Sequence, residues 1–246
     1  MQALRGRYRD QLVGIIDDVI RTQSASLDAA RDALAEALGN NHLLYVAGSG
    51  HSHILAEEVF YRAGGIAQAQ AILDPDLMLH MGAERSTLLE REEGRAERVL
   101  ADYPVTAGDV VVIASNSGRN AYPIEMALAC KARGATTIAL TSLHHAKQTT
   151  SRHNSGKLLY EITDLVLDNG GEYGDASLPI SGRGVRMGPT STLVGVFILN
   201  TLLAEAVNAL AERGIEIDVY QSANMQGAEH DAEALIAKWR PRIRGL

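Results

Sequence analysis

Short apolar runs recur along this chain with helical stretches between them, and that alternation restricts the fold more than any other feature. Leu43-Leu44-Tyr45-Val46-Ala47, residues 69–73, Val110-Val111-Val112-Ile113-Ala114, residues 136–141 and a short segment at 165–167 are mostly aliphatic or β-branched. Such runs read as strands buried on both faces. Helices are predicted between them at 53–63, 86–101 (charged) and 121–133, the last with Pro123 in its first turn, where a missing N–H costs nothing. Strands and helices in this rhythm imply an α/β fold. The five strands are expected in a parallel sheet covered on both faces by helices, with right-handed crossovers and ligand loops at the carboxyl ends of the strands.

The flanks of this core follow the same logic. Residues 3–38 carry two helical stripes, Leu12/Ile15/Ile16/Val19 and Leu27/Ala30/Leu34/Leu38, and are expected to form an N-terminal helical arm over 1–40. Residues 169–189, rich in glycine and short polar side chains, are expected to be a long surface loop. Residues 190–210 form a helix apolar nearly all round, which one domain of this size hardly hides, so a subunit interface is expected there. A final helix spans 228–239. Nothing marks a boundary within 41–246, so the chain of 246 residues reads as a single domain with its arm.

Charge and cysteine usage exclude several classes. The net charge of −7 argues against nucleic acid bound through a broad basic surface, though a small anion needs only a local positive site. The single Cys130, on a predicted helix beside alanines, excludes an intrachain disulfide and a Cys-rich metal site, and reads as a buried inert thiol. No signal peptide is visible, and the apolar run around 193–203 is interrupted by Asn200 and too short to span a bilayer. The expectation is a cytoplasmic protein without membrane, nucleic acid, metal or cofactor.

Two of the strands lead into turns of one design. Gly48-Ser49-Gly50-His51-Ser52 and Ser115-Asn116-Ser117-Gly118-Arg119-Asn120 each place small hydroxyl residues and glycine at a helix start. Free N–H groups, the positive end of the helix dipole and serine O–H donors suit a phosphate monoester, although a serine-rich cap is common in its own right. The Gly-x-Gly lacks the third glycine and the downstream acid of a dinucleotide site. After the first turn come Glu57 and Glu58, with Glu58 on the apolar side of its helix. A desolvated carboxylate there suits a general base that removes a proton next to a carbonyl, and the alternative is an ion pair with Arg62 one turn on. His51 and His53 flank the first turn, His144 and His145 follow the fourth strand, and His153 lies in the polar loop 151–157. His230 sits near the C-terminus; any of these could protonate a ring oxygen at neutral pH. Arg152, Lys157, Arg183 and Arg186 add positive charge in loops near the expected site, and Arg pairs bidentately with phosphate.

These residues together resemble the sugar isomerase (SIS) domain proteins over essentially the whole chain. Ser115-Asn116-Ser117-Gly118-Arg119-Asn120 matches the Ser-x-Ser-Gly phosphosugar loop, with Asn120 where many members have Thr. Gly48-Ser49-Gly50-His51-Ser52 with Ala56-Glu57-Glu58 resembles the first motif. The segments 151–157 and Gly188-Pro189-Thr190-Ser191-Thr192 look like an uncharacterised bacterial branch related to phosphoheptose isomerases. The resemblance implies a three-layer αβα sandwich with a flavodoxin- or Rossmann-like five-stranded parallel sheet, a phosphorylated sugar, and homodimers or homotetramers with sites at subunit interfaces. It implies an aldose–ketose isomerase working through an enediol with Glu58 as base. The catalytic histidine of the heptose isomerases is missing from helix 190–210, so His153 or His230 would substitute. Two other chemistries share this fold: elimination, as in N-acetylmuramic acid 6-phosphate etherases, and sensing without reaction, as in SIS-containing regulators. The expected ligand-binding set is Gly48, Ser49, Gly50, His51, Ser52, Ser115, Asn116, Ser117, Gly118, Asn120 and Lys157.

Overall fold

A computed structural model describes residues 3–222 and, as backbone from 229 and in full from 232, the C-terminal segment. The sheet is built from β1 (Leu44–Gly48), β2 (Ala69–Ile72), β3 (Val110–Ala114), β4 (Thr136–Thr141) and β5 (Leu165–Asp168), all parallel, in the order β2-β1-β3-β4-β5. Successive residues of each strand serve opposite layers. Leu44, Val46, Val110 and Val112 face one apolar cluster, whereas Tyr45, Ala47, Val111 and Ile113 face the other. Two-sided burial is why these strands show no polar alternation.

The first layer holds α1 (Leu4–Thr22), α2 (Ser24–Gly39), α3 (His53–Val59) and α8 (Ser191–Ala211). The second holds α5 (Arg95–Leu100), α6 (Ala121–Ala132) and α9 (Glu229–Trp239). The two short helices α4 (Ala83–Leu89) and α7 (Leu143–Ala146) stand at the carboxyl edge of the sheet, after β2 and β4. Trp239 closes the second layer and donates Nε1–H to Asp218 at 2.7 Å. Cys130 is buried in α6, and burial pushes its thiol up to about 12, which leaves it un-ionised near neutral pH.

Several elements differ from the sequence reading. The N-terminal segment is less an arm than expected. Ala30, Leu34 and Leu38 of α2 are buried, and α2 packs along α8 and the sheet. Helix α3 stops at Val59, short of 63, because Phe60 turns extended (ψ 129°) and Tyr61 takes a left-handed φ of 43°. The stretch 86–101 is two helices. Gly94 adopts a left-handed conformation (φ 79°) and its N–H is held by both Glu125 oxygens, which interrupts the helix at residues 90–94.

The expected loop at 169–189 contains an antiparallel hairpin, β6 (Ala176–Pro179) and β7 (Arg186–Pro189), docked on α1 through Tyr8, which donates to Pro189 O. Its strands are too short and too polar to show a period in sequence. Helix α8 has 21 residues and a mean hydropathy of 1.8 over an 18-residue window, so by length and composition alone it is apolar enough to cross a membrane, a test that a buried core helix also passes. In the fold Val194, Ile198, Leu202 and Ala206 line its buried side, while Leu193 is 50% exposed.

Candidate functional site

The strand order reverses between β1 and β3, because β2 lies on the far side of β1. In an open parallel sheet such a switch point leaves a crevice at the carboxyl edge. Gly48 and Ala114 are register partners at the ends of these strands, so both turns leave the sheet at one level, side by side. The next two strand ends join them. Ser142 N–H donates to Asn116 O at 3.1 Å, and Asn169 Nδ2 donates to Asn116 Oδ1 at 3.1 Å. The N-terminus of α8 completes the edge, held by Asp175, whose Oδ1 accepts from Thr190 and Ser191 N–H and whose Oδ2 accepts from Ser191 Oγ at 2.5 Å. A cleft of about 20 Å3 between His51, Ser52, Ser115, Asn116, Asn169 and Ser191 marks the first-layer flank of this rim. That volume takes a water-sized group, so a sugar ring would have to lie above it on the open rim.

The second turn is shaped to leave donors open. Ser115 Oγ accepts from Gly118 N–H at 3.2 Å, which curls the loop. Gly118 has φ 58°, and a Cβ there would stand 2.9 Å from Leu159 Cβ, so only glycine fits. Neither the Ser117 hydroxyl nor its N–H has a partner among the described residues. Asn120 occupies the cap position of α6, yet its side chain makes no cap bond, which leaves the dipole end of α6 open to an anion. The first turn is equally tight: a Cβ on Gly48 would lie 2.5 Å from Ser52 O.

One carboxylate joins the two turns, and the sequence reading missed it. Glu90 accepts from Ser49 Oγ at 2.8 Å on one oxygen and from Asn120 Nδ2 on the other. Burial raises its pKa, opposed by the Ser49 hydrogen bond and the charges of Arg91 and Arg152. The break between α4 and α5 puts it there. In sequence Leu-Glu-Arg-Glu-Glu reads as a solvated helix face, and only the following Gly94 hints at an interruption. Arg152 completes the chain of contacts, donating from Nη1 to Asn120 Oδ1 at 3.0 Å, while its N–H donates to Arg119 O at 2.7 Å.

The other expected residues divide. Ser49, Gly50, His51, Ser52, Ser115, Asn116, Ser117, Gly118 and Asn120 sit in or directly follow the two turns. Glu58 is held by Arg62, the ion pair that sequence spacing offered as the alternative, and accepts from Asn200 Nδ2 at 2.9 Å. Glu57 is exposed beside it. Neither lines the cleft.

The histidines and Lys157 were expected at the rim too. His53 is buried, with Nδ1 3.3 Å from Gly50 O and Nε2 without a partner among the described residues, and burial lowers its pKa. His153 is turned to α6: Nε2 lies 3.8 Å from Glu125 and Nδ1 2.8 Å from Ser155 Oγ, which takes it out of the rim. The Lys157 side chain is exposed and unpartnered among the described residues. The side chain of His230 lies outside the described residues. Arg186 ties its own hairpin through Ala176 O and Ser177 O, and Arg183 stands exposed between the hairpin strands.

Comparison with known proteins bears on this arrangement. Residues 7–142 match the SIS domain family. A UPF0309 protein of Geobacillus thermodenitrificans is 46% identical over 225 residues, 92% of this chain and 90% of that one. Among solved structures, phosphoheptose isomerase from Neisseria gonorrhoeae superposes with a TM-score of 0.53 at 18% identity, covering 83% of this chain and 98% of that one. The Vibrio vulnificus NanR protein complexed with ManNAc-6P superposes with a TM-score of 0.54 at 17% identity, covering 97% of this chain and 70% of that one. At such identities the structural likeness speaks for the fold alone.

Proposed function

The chain belongs to the SIS-domain proteins, and from that premise we propose that it binds a phosphorylated sugar at the β1/β3 rim and interconverts its aldose and ketose forms. The observation that carries the reading is the register of Gly48 with Ala114, which sets two hydroxyl- and amide-bearing turns side by side at a switch point. The Ser117 hydroxyl and N–H, unengaged within the described protein, take the phosphate together with the α6 dipole. His51, the histidine lining the cleft, serves as the acid that opens the ring. Glu90 moves the proton between C1 and C2 through an enediol. It stands at both turns, and a carboxylate whose pKa is raised toward neutrality is the stronger base. Glu58, which the Ala-Glu-Glu resemblance names for this role, is the competing assignment.

The half-exposed Leu193 on the strongly apolar helix α8 favours an assembly of two or four copies. The engagement of Glu58 by Arg62 and Asn200 favours a second reading, a sensor that binds the sugar phosphate without turning it over. Incubation with aldose and ketose phosphates in D2O, read by NMR, separates these. Isomerisation of the aldose places deuterium at C1 of the ketose formed, and the reverse reaction places it at C2 of the aldose, whereas elimination releases a C3 substituent. A ligand-induced thermal shift without exchange establishes the sensor. Loss of exchange in Glu90→Gln with binding intact assigns the base to Glu90; the same loss confined to Glu58→Gln returns the role to Glu58.

A further inference from the structure

Arg119 and Arg152 are held in place without being neutralised. Arg119 donates from Nε to Thr150 O at 2.9 Å and from Nη2 to Thr150 Oγ1 at 3.4 Å; Arg152 donates from Nη1 to the amide oxygen of Asn120. Each guanidinium is thus steered by neutral oxygens, and neither has a carboxylate within ion-pair distance among the described residues. Arg91, the neighbour of Glu90, makes no side-chain hydrogen bond or ion pair among the described residues either. Arg62, Arg85, Arg95, Arg98 and Arg133, by contrast, each hold a carboxylate, whereas Arg186 and Arg242 are steered by neutral oxygens as Arg119 is. Arg119 and Arg91 also repel Arg152. Burial, then the charges of Arg119 and Arg91, lower the pKa of Arg152, and only Glu90 opposes this. Glu90 is held by Ser49 and Asn120 and forms no ion pair with Arg152 within the described residues.

The position of this group matters as much as its charge. The narrow cleft with Ser52, Asn116 and Ser191 lies on the α3/α8 flank of the rim. Glu90, Asn120 and Arg152 lie on the other flank, where α6 begins and α4 gives way to α5. Between the flanks runs the loop 115–118 with its open donors. Arg119 directly follows that loop and Arg152 is tied to Asn120 at the start of α6, so both arginines stand on the α6 flank of a phosphate seated there.

We propose that Arg119 and Arg152 form a second anion subsite, so that the ligand is a sugar carrying, besides its phosphate, another anionic group, carboxylate or phosphate. Planar forks with unused N–H donors match either group bidentately. The inference rests on the phosphosugar reading of the same rim and narrows its substrate class.

The test compares three ligands by isothermal titration: glucose 6-phosphate, 6-phosphogluconate and fructose 1,6-bisphosphate. Wild-type protein should bind at least one of the doubly anionic compounds about tenfold more tightly than glucose 6-phosphate, the scale of one charge-assisted hydrogen-bond pair. Whichever is preferred identifies the second group as carboxylate or phosphate. In Arg119→Gln/Arg152→Gln the ratio of the two affinities should fall to near one. In Arg119→Lys/Arg152→Lys, which keeps charge but loses the fork, the ratio should be intermediate. The preference should also shrink between 50 and 300 mM NaCl. Circular dichroism and melting temperature establish that the variants fold.

Equal wild-type affinity for all three compounds overturns the subsite while leaving the phosphosugar reading intact. So does a double glutamine variant that weakens all three alike, because the arginines would then hold the first phosphate. Absence of binding by every compound, with no response to Ser117→Ala, overturns both.

Discussion

Gly48 and Ala114 stand opposite each other at the ends of two adjacent parallel strands, and everything proposed for the site follows from that pairing. It brings Ser49 close enough to the second turn for one carboxylate to touch both. It also means that changes in either turn should be felt at the same ligand.

Ser117→Ala tests the phosphate loop at little structural cost. Its hydroxyl makes no hydrogen bond among the described residues, so the melting temperature should hold within about 2 °C. Affinity for a sugar phosphate should fall about tenfold, the loss of one hydrogen bond to a charged group. Equal affinity in wild type and variant, measured by titration, removes Ser117 from the site.

Gly118→Ala should unfold the loop from within. A left-handed φ of 58° and a Cβ only 2.9 Å from Leu159 Cβ predict a loss of about 1–3 kcal/mol in urea denaturation, together with weakened ligand binding. A neutral result would mean that the loop tolerates another path.

Glu90 gives stability a pH dependence of known sign. Burial raises its folded pKa above the unfolded value of about 4.3, so its contribution is whole below that pH and is lost as pH rises through the folded pKa. Glu90→Gln removes the titration but keeps partners for Ser49 and Asn120. The melting temperature of the variant minus that of wild type should therefore increase from pH 4 to pH 7. A flat difference denies the desolvation of Glu90.

His53 runs the other way. Burial lowers its pKa, countered by its bond to Gly50 O and by Asp74, and reinforced by His80. A base with a depressed folded pKa keeps its contribution above the unfolded value of about 6.5 and loses it as pH falls. Wild type should lose denaturant resistance between pH 7 and 5 more steeply than His53→Asn. Parallel curves would place the titration elsewhere.

Core substitutions provide a reference for these local effects. Leu34→Ala in α2 should cost about 2–5 kcal/mol, the range for a buried leucine, because this helix belongs to the first layer of the sandwich. A cost near zero would restore α2 to a detachable arm.

The strands were legible because burial on both faces writes itself into composition: Val110-Val111-Val112-Ile113-Ala114 admits few other readings. The two turns were legible because glycine and serine at a strand-to-helix junction have a local reason to be there. Glu90 was not, since nothing local separates it from Glu92 or Glu93, and its place depends on a helix broken by Gly94 and on partners some 30 to 40 residues away. Glu58 was legible twice over, as a base and as half of an ion pair, and only coordinates show the pair formed.

The sequence by itself determined the layers, the parallel sheet and the two donor-rich turns, because periodicity and turn chemistry are local properties of a chain. Tertiary structure alone decided which charged groups meet at the rim. Glu90 is drawn in beside Ser49, Asn120 and Arg152, and Glu58 is claimed by Arg62 and Asn200. A charge finds its partner by position in space, and an isolated residue letter carries no record of that position.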